Sequence, residues 1–289
     1  MTDYRQMDSE TLNREYSPSS CIDDIMVFIN QYNNESAKAR NSLINNITAN
    51  LKYGPEDRSH MDLFVPKGGE VGPLPIHVFI HGGYWQQLSK EESCFAAPNF
   101  INHDVIFIAL DYTLAPDASL FEIVDQVRRA IISILKNADK FDGDKDNITI
   151  SGSSAGGHLV AEILSMDWQK YGYDKCPLKG ALAISGIFDL EPLVKTYVND
   201  PLKMTVKDAL KLSPLHHIPE TSCPIIFSYG ENETSEFKRQ THQYMDACSL
   251  KGINTSYVEM PSVNHFDIVF DLNKEQGPLF QAVLAQIRS

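Results

Sequence analysis

The sequence predicts an α/β protein: one mostly parallel sheet with helices on both faces and a small cap insertion. Three observations carry this. Short β-branched and aromatic runs alternate with segments of helical periodicity almost from end to end. One such run, Ile148-Thr149-Ile150, leads into Ser151-Gly152-Ser153-Ser154-Ala155-Gly156-Gly157-His158, a glycine-flanked serine turn between a strand and a helix. No repeat, low-complexity stretch or linker divides the 289 residues, so 1–289 reads as a single domain.

Residues up to about Ser20 read as polar and irregular. Ile22, Ile25, Met26, Phe28, Ile29 and Tyr32 then recur at helical spacing, and Leu43, Ile44, Ile47 and Leu51 suggest a second helix. Residues 1–52 therefore read as a helical N-terminal segment, ended by Gly54-Pro55. Residues 60–66 alternate like a strand, and 67–75, rich in Gly and Pro, form a loop. Runs 76–80 and 104–110 are buried strands, followed by a helix over 120–138 with Ile123, Val127, Ile131, Ile134 and Leu135 on one stripe. After the serine turn and its helix, 178–187 is a strand. Residues 189–218 carry short helical pieces and prolines and read as a cap over the site. A strand at 224–229, a helix at 237–250, a last strand at 255–260 and a last helix at 279–287 complete the pattern.

A net charge of −13 disfavours nucleic acid and anionic membrane as partners. The five cysteines (Cys21, Cys94, Cys176, Cys223, Cys248) are scattered and form no C-x-x-C pair, which fits reduced thiols and neither a disulfide framework nor a zinc site. The polar start lacks a signal-peptide core, and no apolar run is long enough to span a membrane. The expectation is a cytoplasmic protein acting on a small molecule, without metal or cofactor; a homodimer is compatible with the chain.

The serine turn is a G-x-S-x-G nucleophile elbow, in which strand, sharp turn and helix lift the Ser154 hydroxyl above the sheet. A serine hydroxyl is a weak nucleophile and needs a base, an acid to orient that base, and donors for an oxyanion. In this architecture the order is Ser, acid, His. The loop after the last strand holds one histidine, His265; His77, His216, His217 and His242 fall in a strand, the insertion and a helix. The loop after the strand at 224–229, Gly230-Glu231-Asn232-Glu233-Thr234-Ser235-Glu236, offers three carboxylates. Glu236 reads as a first-turn helix residue with Thr234 as a candidate N-cap, and spacing favours Glu233 over Glu231 as the acid. For the oxyanion, one N–H belongs to Ala155, after the nucleophile. Others are expected from His81-Gly82-Gly83, with Gly82 and Gly83 the donors and Tyr84 the alternative. These pieces, in order, predict a serine hydrolase of the α/β-hydrolase fold. Ser151-Gly152-Ser153-Ser154 lacks the Gly-Lys-Ser/Thr ending of a nucleotide-binding loop.

His81-Gly82-Gly83-Tyr84-Trp85 and Asp111-Tyr112-Thr113-Leu114-Ala115-Pro116 resemble the H-G-G-G and D-Y-R-L-A-P segments of the hormone-sensitive-lipase-like esterases, with Thr113 in place of Arg. Glu15-Tyr16-Ser17-Pro18-Ser19, Ser185-Gly186-Ile187-Phe188-Asp189-Leu190, Tyr197-Val198-Asn199-Asp200 and His265-Phe266-Asp267 make the whole most similar to the arylformamidase (kynurenine formamidase) branch. That resemblance implies cleavage of an N-formyl arylamine such as N-formyl-L-kynurenine, through a formyl-serine intermediate, in tryptophan catabolism. It sets Glu233 on the family's triad Asp, and it shows Ser153 and Gly157 where relatives often carry His and Ala. Tyr84, Trp85, Phe188 and Phe266 are expected near the arylamine ring, Ser153 beside them, and Asn199 or Asp200 near the substrate's charged groups. Two other readings stay open: a carboxylesterase or amidase for another small ester or N-acyl enamine, and an inactive ligand-binding scaffold.

Overall fold

The computed structural model describes residues 4–67 and 72–289. Its helices and strands, in chain order, are α1 (Ser9–Glu15), α2 (Ile25–Ser42), β1 (Ile47–Lys52), β2 (His60–Phe64), β3 (Leu74–Ile80), α3 (Ala97–Ile101), β4 (Ile106–Leu110), α4 (Leu120–Asn137) and β5 (Gly143–Ser153). Then come α5 (Ala155–Leu164), β6 (Gly180–Ile184), α6 (Asn199–Leu202), α7 (Val206–Lys211), β7 (Ile225–Ser228), α8 (Ser235–Leu250), β8 (Thr255–Tyr257) and α9 (Pro278–Arg288). The strands form one eight-stranded sheet in the order β1-β2-β4-β3-β5-β6-β7-β8. Strand β2 is antiparallel to both its neighbours, and every pair from β4 to β8 is parallel. This is the α/β-hydrolase architecture.

The central strands read as continuous apolar runs because helices cover both faces. Alternation along β3 divides the two cores: Ile76, Val78 and Ile80 face α4 and α5, while Phe79 joins Phe100, Phe107 and Phe280 on the other face. His77 shares that second face; its ring stacks on Phe100 at 4.4 Å and bonds Thr149 Oγ1 (2.8 Å) and Ser151 Oγ (2.7 Å) of β5. Burial holds its pKa down at about 3, so it is a neutral core residue. The α4 stripe packs inward as its spacing requires, and Ser119 with Glu122 closes a capping box at its start.

Two readings of the N-terminal part need correction. Residues 47–52 are strand, not helix: Ile47 pairs with Phe64 and Lys52 with His60. Leu43, Ile47 and Leu51 lie four apart, a spacing that puts them on one side of a helix but also on one face of a strand. The pairing is fastened by Asp62 of β2, fully buried, which accepts from Asn50 N at 2.8 Å and from Arg40, and lies 3.0 Å from Lys90 Nζ. The stretch before Ser20, in turn, is not irregular throughout. Asp8 caps α1 by accepting from Thr11 N at 2.8 Å, and Tyr16 beyond it is buried.

All the parallel strands end on one side of the sheet, and the loops at those ends carry the chemistry-bearing residues. Ser154 follows β5, His81–Gly83 follows β3, Ser185 follows β6, Glu233 follows β7, and His265 follows β8. The 189–218 segment, with α6, α7 and short 3-10 turns, brings Tyr197 and Val198 to the same end.

Candidate active site

Ser154 sits between β5 and α5 with φ 57° and ψ −119°, a left-handed backbone that a non-glycine residue holds only when its surroundings enforce it. The enforcement is visible. Ser154 N donates to Ile184 O at 2.8 Å, and the elbow is packed so tightly that a Cβ on Gly156 would lie 2.1 Å from Ile80 O. Glycine is thus sterically required there. Ser154 opens α5, so the N–H groups of the first turn, Ala155 included, face the hydroxyl's side.

His265 and Glu233 form a buried pair: His265 Nδ1 lies 2.7 Å from Glu233 Oε2. The other carboxylate oxygen, Oε1, accepts from Gly230 N and from Ser185 Oγ, each at 2.6 Å. The acid is therefore held at both oxygens, with Ser154 and Glu233 each 7 % exposed and His265 5 %. The imidazole packs edge-on against Phe237 at 4.6 Å and Phe266 at 5.4 Å. Glu231 takes a different role, accepting from Ser262 N at 2.8 Å. Glu236 is neither acid nor cap: it accepts from Tyr16 OH at 2.6 Å and pairs with Arg239 at 2.7 Å. Thr234 precedes α8 but makes no cap bond; its hydroxyl donates to Glu15 O, and Glu15 Oε2 instead accepts from Ser235 N at the helix start.

The two N-terminal motifs meet each other. His81 stacks on Tyr112 at 4.1 Å and its Nε2 lies 3.4 Å from Asp111 Oδ1, while Tyr112 OH donates to His81 O at 3.0 Å. Asp111 is kept low in pKa, despite burial, by His81 and by the Arg58 guanidinium at 2.7 Å. Gly82 and Gly83 consequently lie beside the elbow; a Cβ on Gly82 would sit 2.8 Å from Ser153 O and 3.2 Å from Ser154 Cβ. Beyond them Tyr84 and Trp85 both adopt positive φ (51° and 59°), a coil that sends one ring each way.

Ser154, His265, Gly82 and Gly83 line one cavity of about 280 Å³. Of the expected pocket residues, Tyr84, Ser153 and Phe266 are in its wall. Trp85, Phe188 and Asn199 are not, and those expectations are corrected. Trp85 is fully buried, edge-on to His158 at 5.1 Å; Phe188 stacks on Tyr244 at 4.4 Å inside the core. Asn199 closes a turn of its own segment, donating to Met204 O at 3.0 Å and accepting from Met204 N at 2.8 Å. Gly157 packs against Gly186, away from the cavity. The wall also includes residues that sequence reasoning missed, among them Pro18 and Ser19, Ile29 and Tyr32 of α2, Gln86, Gln87, Leu88, Glu92 and Phe95. Their only sequence signal was the Tyr16-Ser17-Pro18-Ser19 segment. Tyr84 OH donates to Tyr16 O at 2.6 Å, tying that segment to the H-G-G loop.

The geometry has counterparts in known proteins. The BD-FAE family model matches residues 61–246. A kynurenine formamidase of Salmo salar is 34 % identical, with 98 % of each chain covered, and one of Danio rerio is 32 % identical, with 99 % of each covered. A crystal structure from Silicibacter sp. tm1040 superposes with a TM-score of 0.83 at 27 % identity, covering 94 % of this chain and 98 % of that one. With relatives this similar along their whole length, the chain belongs to the kynurenine formamidases, within the BD-FAE family of α/β-hydrolases.

Proposed function

We propose that the protein is a formamidase that hydrolyses the N-formyl amide of an arylamine, with N-formyl-L-kynurenine as the type substrate, releasing the arylamine and formate. Ser154 is the nucleophile, His265 the base and Glu233 the acid that orients it. His265 Nε2 takes the Ser154 proton as Oγ bonds to the formyl carbon. The N–H groups of Gly82, Gly83 and Ala155 receive the oxyanion. His265 then gives the proton to the departing nitrogen, the C–N bond breaks, and formyl-Ser154 remains. Water attacks that ester, His265 takes its proton, and formate leaves as Ser154 Oγ is protonated again. A formyl group has no side chain, so little room is needed beside Gly82, while the flat arylamine has Tyr84 and Phe266 to lie against.

The observation that carries this reading is His265, paired behind the wall with Glu233, lining one cavity with Ser154 and the H-G-G loop. A cytoplasmic place fits the five free cysteines, and among the described residues no helix is long and apolar enough to cross a membrane. The test is stoichiometry: incubation with N-formyl-L-kynurenine should release formate and arylamine one for one, and Ser154→Ala should release neither. Arylamine release that persists in Ser154→Ala would refute the assignment.

A further inference from the structure

We propose that Glu92 is the specificity-determining residue of the cavity, and that it selects substrates bearing an ammonium group near the acyl-arylamine. The proposal deepens the formamidase reading and rests on it. The argument is one of charge. Among the described residues lining the cavity there is one carboxylate, Glu92, and no Lys or Arg. The nearby cations are spent elsewhere: Lys90 on Asp62 and Glu91, Arg40 on Asp62 and Glu91, Arg58 on Asp111. Glu91 and Glu92 are adjacent in sequence yet differ in fate. Glu91 is neutralised by Lys90 at 2.6 Å and Arg40 at 2.8 Å, whereas Glu92 faces the cavity without a cation.

Glu92 is also aimed. Its Oε2 accepts from Ser89 Oγ at 2.6 Å, which restrains the carboxylate at that oxygen, and among the described residues Oε1 has no protein partner. A half-buried carboxylate with one open oxygen, in a wall that sets Tyr32, Phe95, Leu88 and Phe266 beside the uncharged polar Gln86, Gln87 and Ser93, is the complement of a primary ammonium attached to an apolar body. An amino-acid substrate would place its ammonium on Glu92 and leave its carboxylate in water, since no Lys or Arg lines the wall among the described residues. Arylamides without an ammonium would bind by ring contacts alone.

Calorimetry with L-kynurenine and its des-amino analogue, on the wild type and Glu92→Gln, tests this without relying on turnover. The wild type should bind the amine about tenfold more tightly than the analogue, the usual size of a charge-assisted bond that water partly screens. Glu92→Gln should equalise the two while leaving affinity for the analogue within about twofold. A preference that survives in Glu92→Gln, or a wild type that shows none, binding of neither ligand included, overturns the proposal. Formamide turnover measured alongside separates the two claims. Turnover without an amine preference defeats the role of Glu92 alone, and an amine preference without turnover defeats the formamidase reading alone.

Discussion

Replacing Glu233 with Gln changes one oxygen to NH2 at constant shape, and the structure says which one. Gly230 N points at Oε1 from 2.6 Å and cannot turn into an acceptor, so the amide oxygen must occupy that position beside Ser185. The new NH2 then faces His265 Nδ1 at the 2.7 Å position. Two donors cannot share that contact, so Nδ1 must become the acceptor and the imidazole proton moves to Nε2. With Nε2 protonated, His265 cannot take the proton of Ser154. The same wrong-tautomer defect in a serine protease triad lowers kcat by about 10⁴, or roughly 5 kcal/mol of transition-state stabilisation. Steady-state hydrolysis of N-formyl-L-kynurenine by Glu233→Gln should fall by about that factor, with the fold retained because the buried group keeps its volume and its two donors. Glu231→Gln, whose side chain accepts from Ser262 N and not from His265, should change the rate less than about twofold. Retention of more than a tenth of the wild-type rate in Glu233→Gln, or an equal loss in Glu231→Gln, would refute this reasoning.

Other expectations follow from the same contacts. Ser185 holds positive φ (49°) and donates to Glu233, so Ser185→Gly and Ser185→Ala should both lower kcat by about tenfold. Thermal melts should show the glycine variant the more stable of the two, since glycine accepts that backbone; equal activity to wild type in either would discount the bond. Gly156→Ala drives a Cβ to within 2.1 Å of Ile80 O and should cost about 3 kcal/mol or more in denaturant titration, an unchanged midpoint being the contrary result. His77 titrates from an ordinary 6.5 in the unfolded chain to about 3 in the fold. Its folded pKa is the lower one, so its contribution is complete above pH 6.5 and is lost as pH falls through that window, at up to about 1.4 kcal/mol per pH unit. His77→Gln should flatten the acid limb of stability against pH by close to one proton, and identical slopes would contradict the assignment.

The parts of the site that were legible in the sequence are those fixed by local steric rules. A serine between glycines at a strand end, an H-G-G after a strand and a histidine after the last strand all depend on a few consecutive residues, and chain order gave their partners. The acid was half legible: spacing preferred Glu233, but only the fold shows that Gly230 and Ser185 draw it toward His265 while Glu231 turns to Ser262. The cavity wall was least legible. Trp85 and Tyr84 are adjacent, and a left-handed coil, not composition, sends the first into the core and the second to the ligand side. Phe188 was drawn off by Tyr244, 56 residues away, and Asn199 by its own turn, while α2 supplied Tyr32 and Ile29 from the far end of the chain. Such contacts have no local signature. The strand at 47–52 failed for a related reason, since a four-residue repeat is ambiguous until a partner strand is present.

The most direct test is the ratio of kcat/KM for N-formyl-L-kynurenine to that for a short-chain p-nitrophenyl ester, with Ser154→Ala as the control for both. A ratio well above one, with both activities lost in Ser154→Ala, is the result the account predicts. An inert formamide beside a Ser154-dependent ester activity would keep the triad and contradict the formamidase assignment.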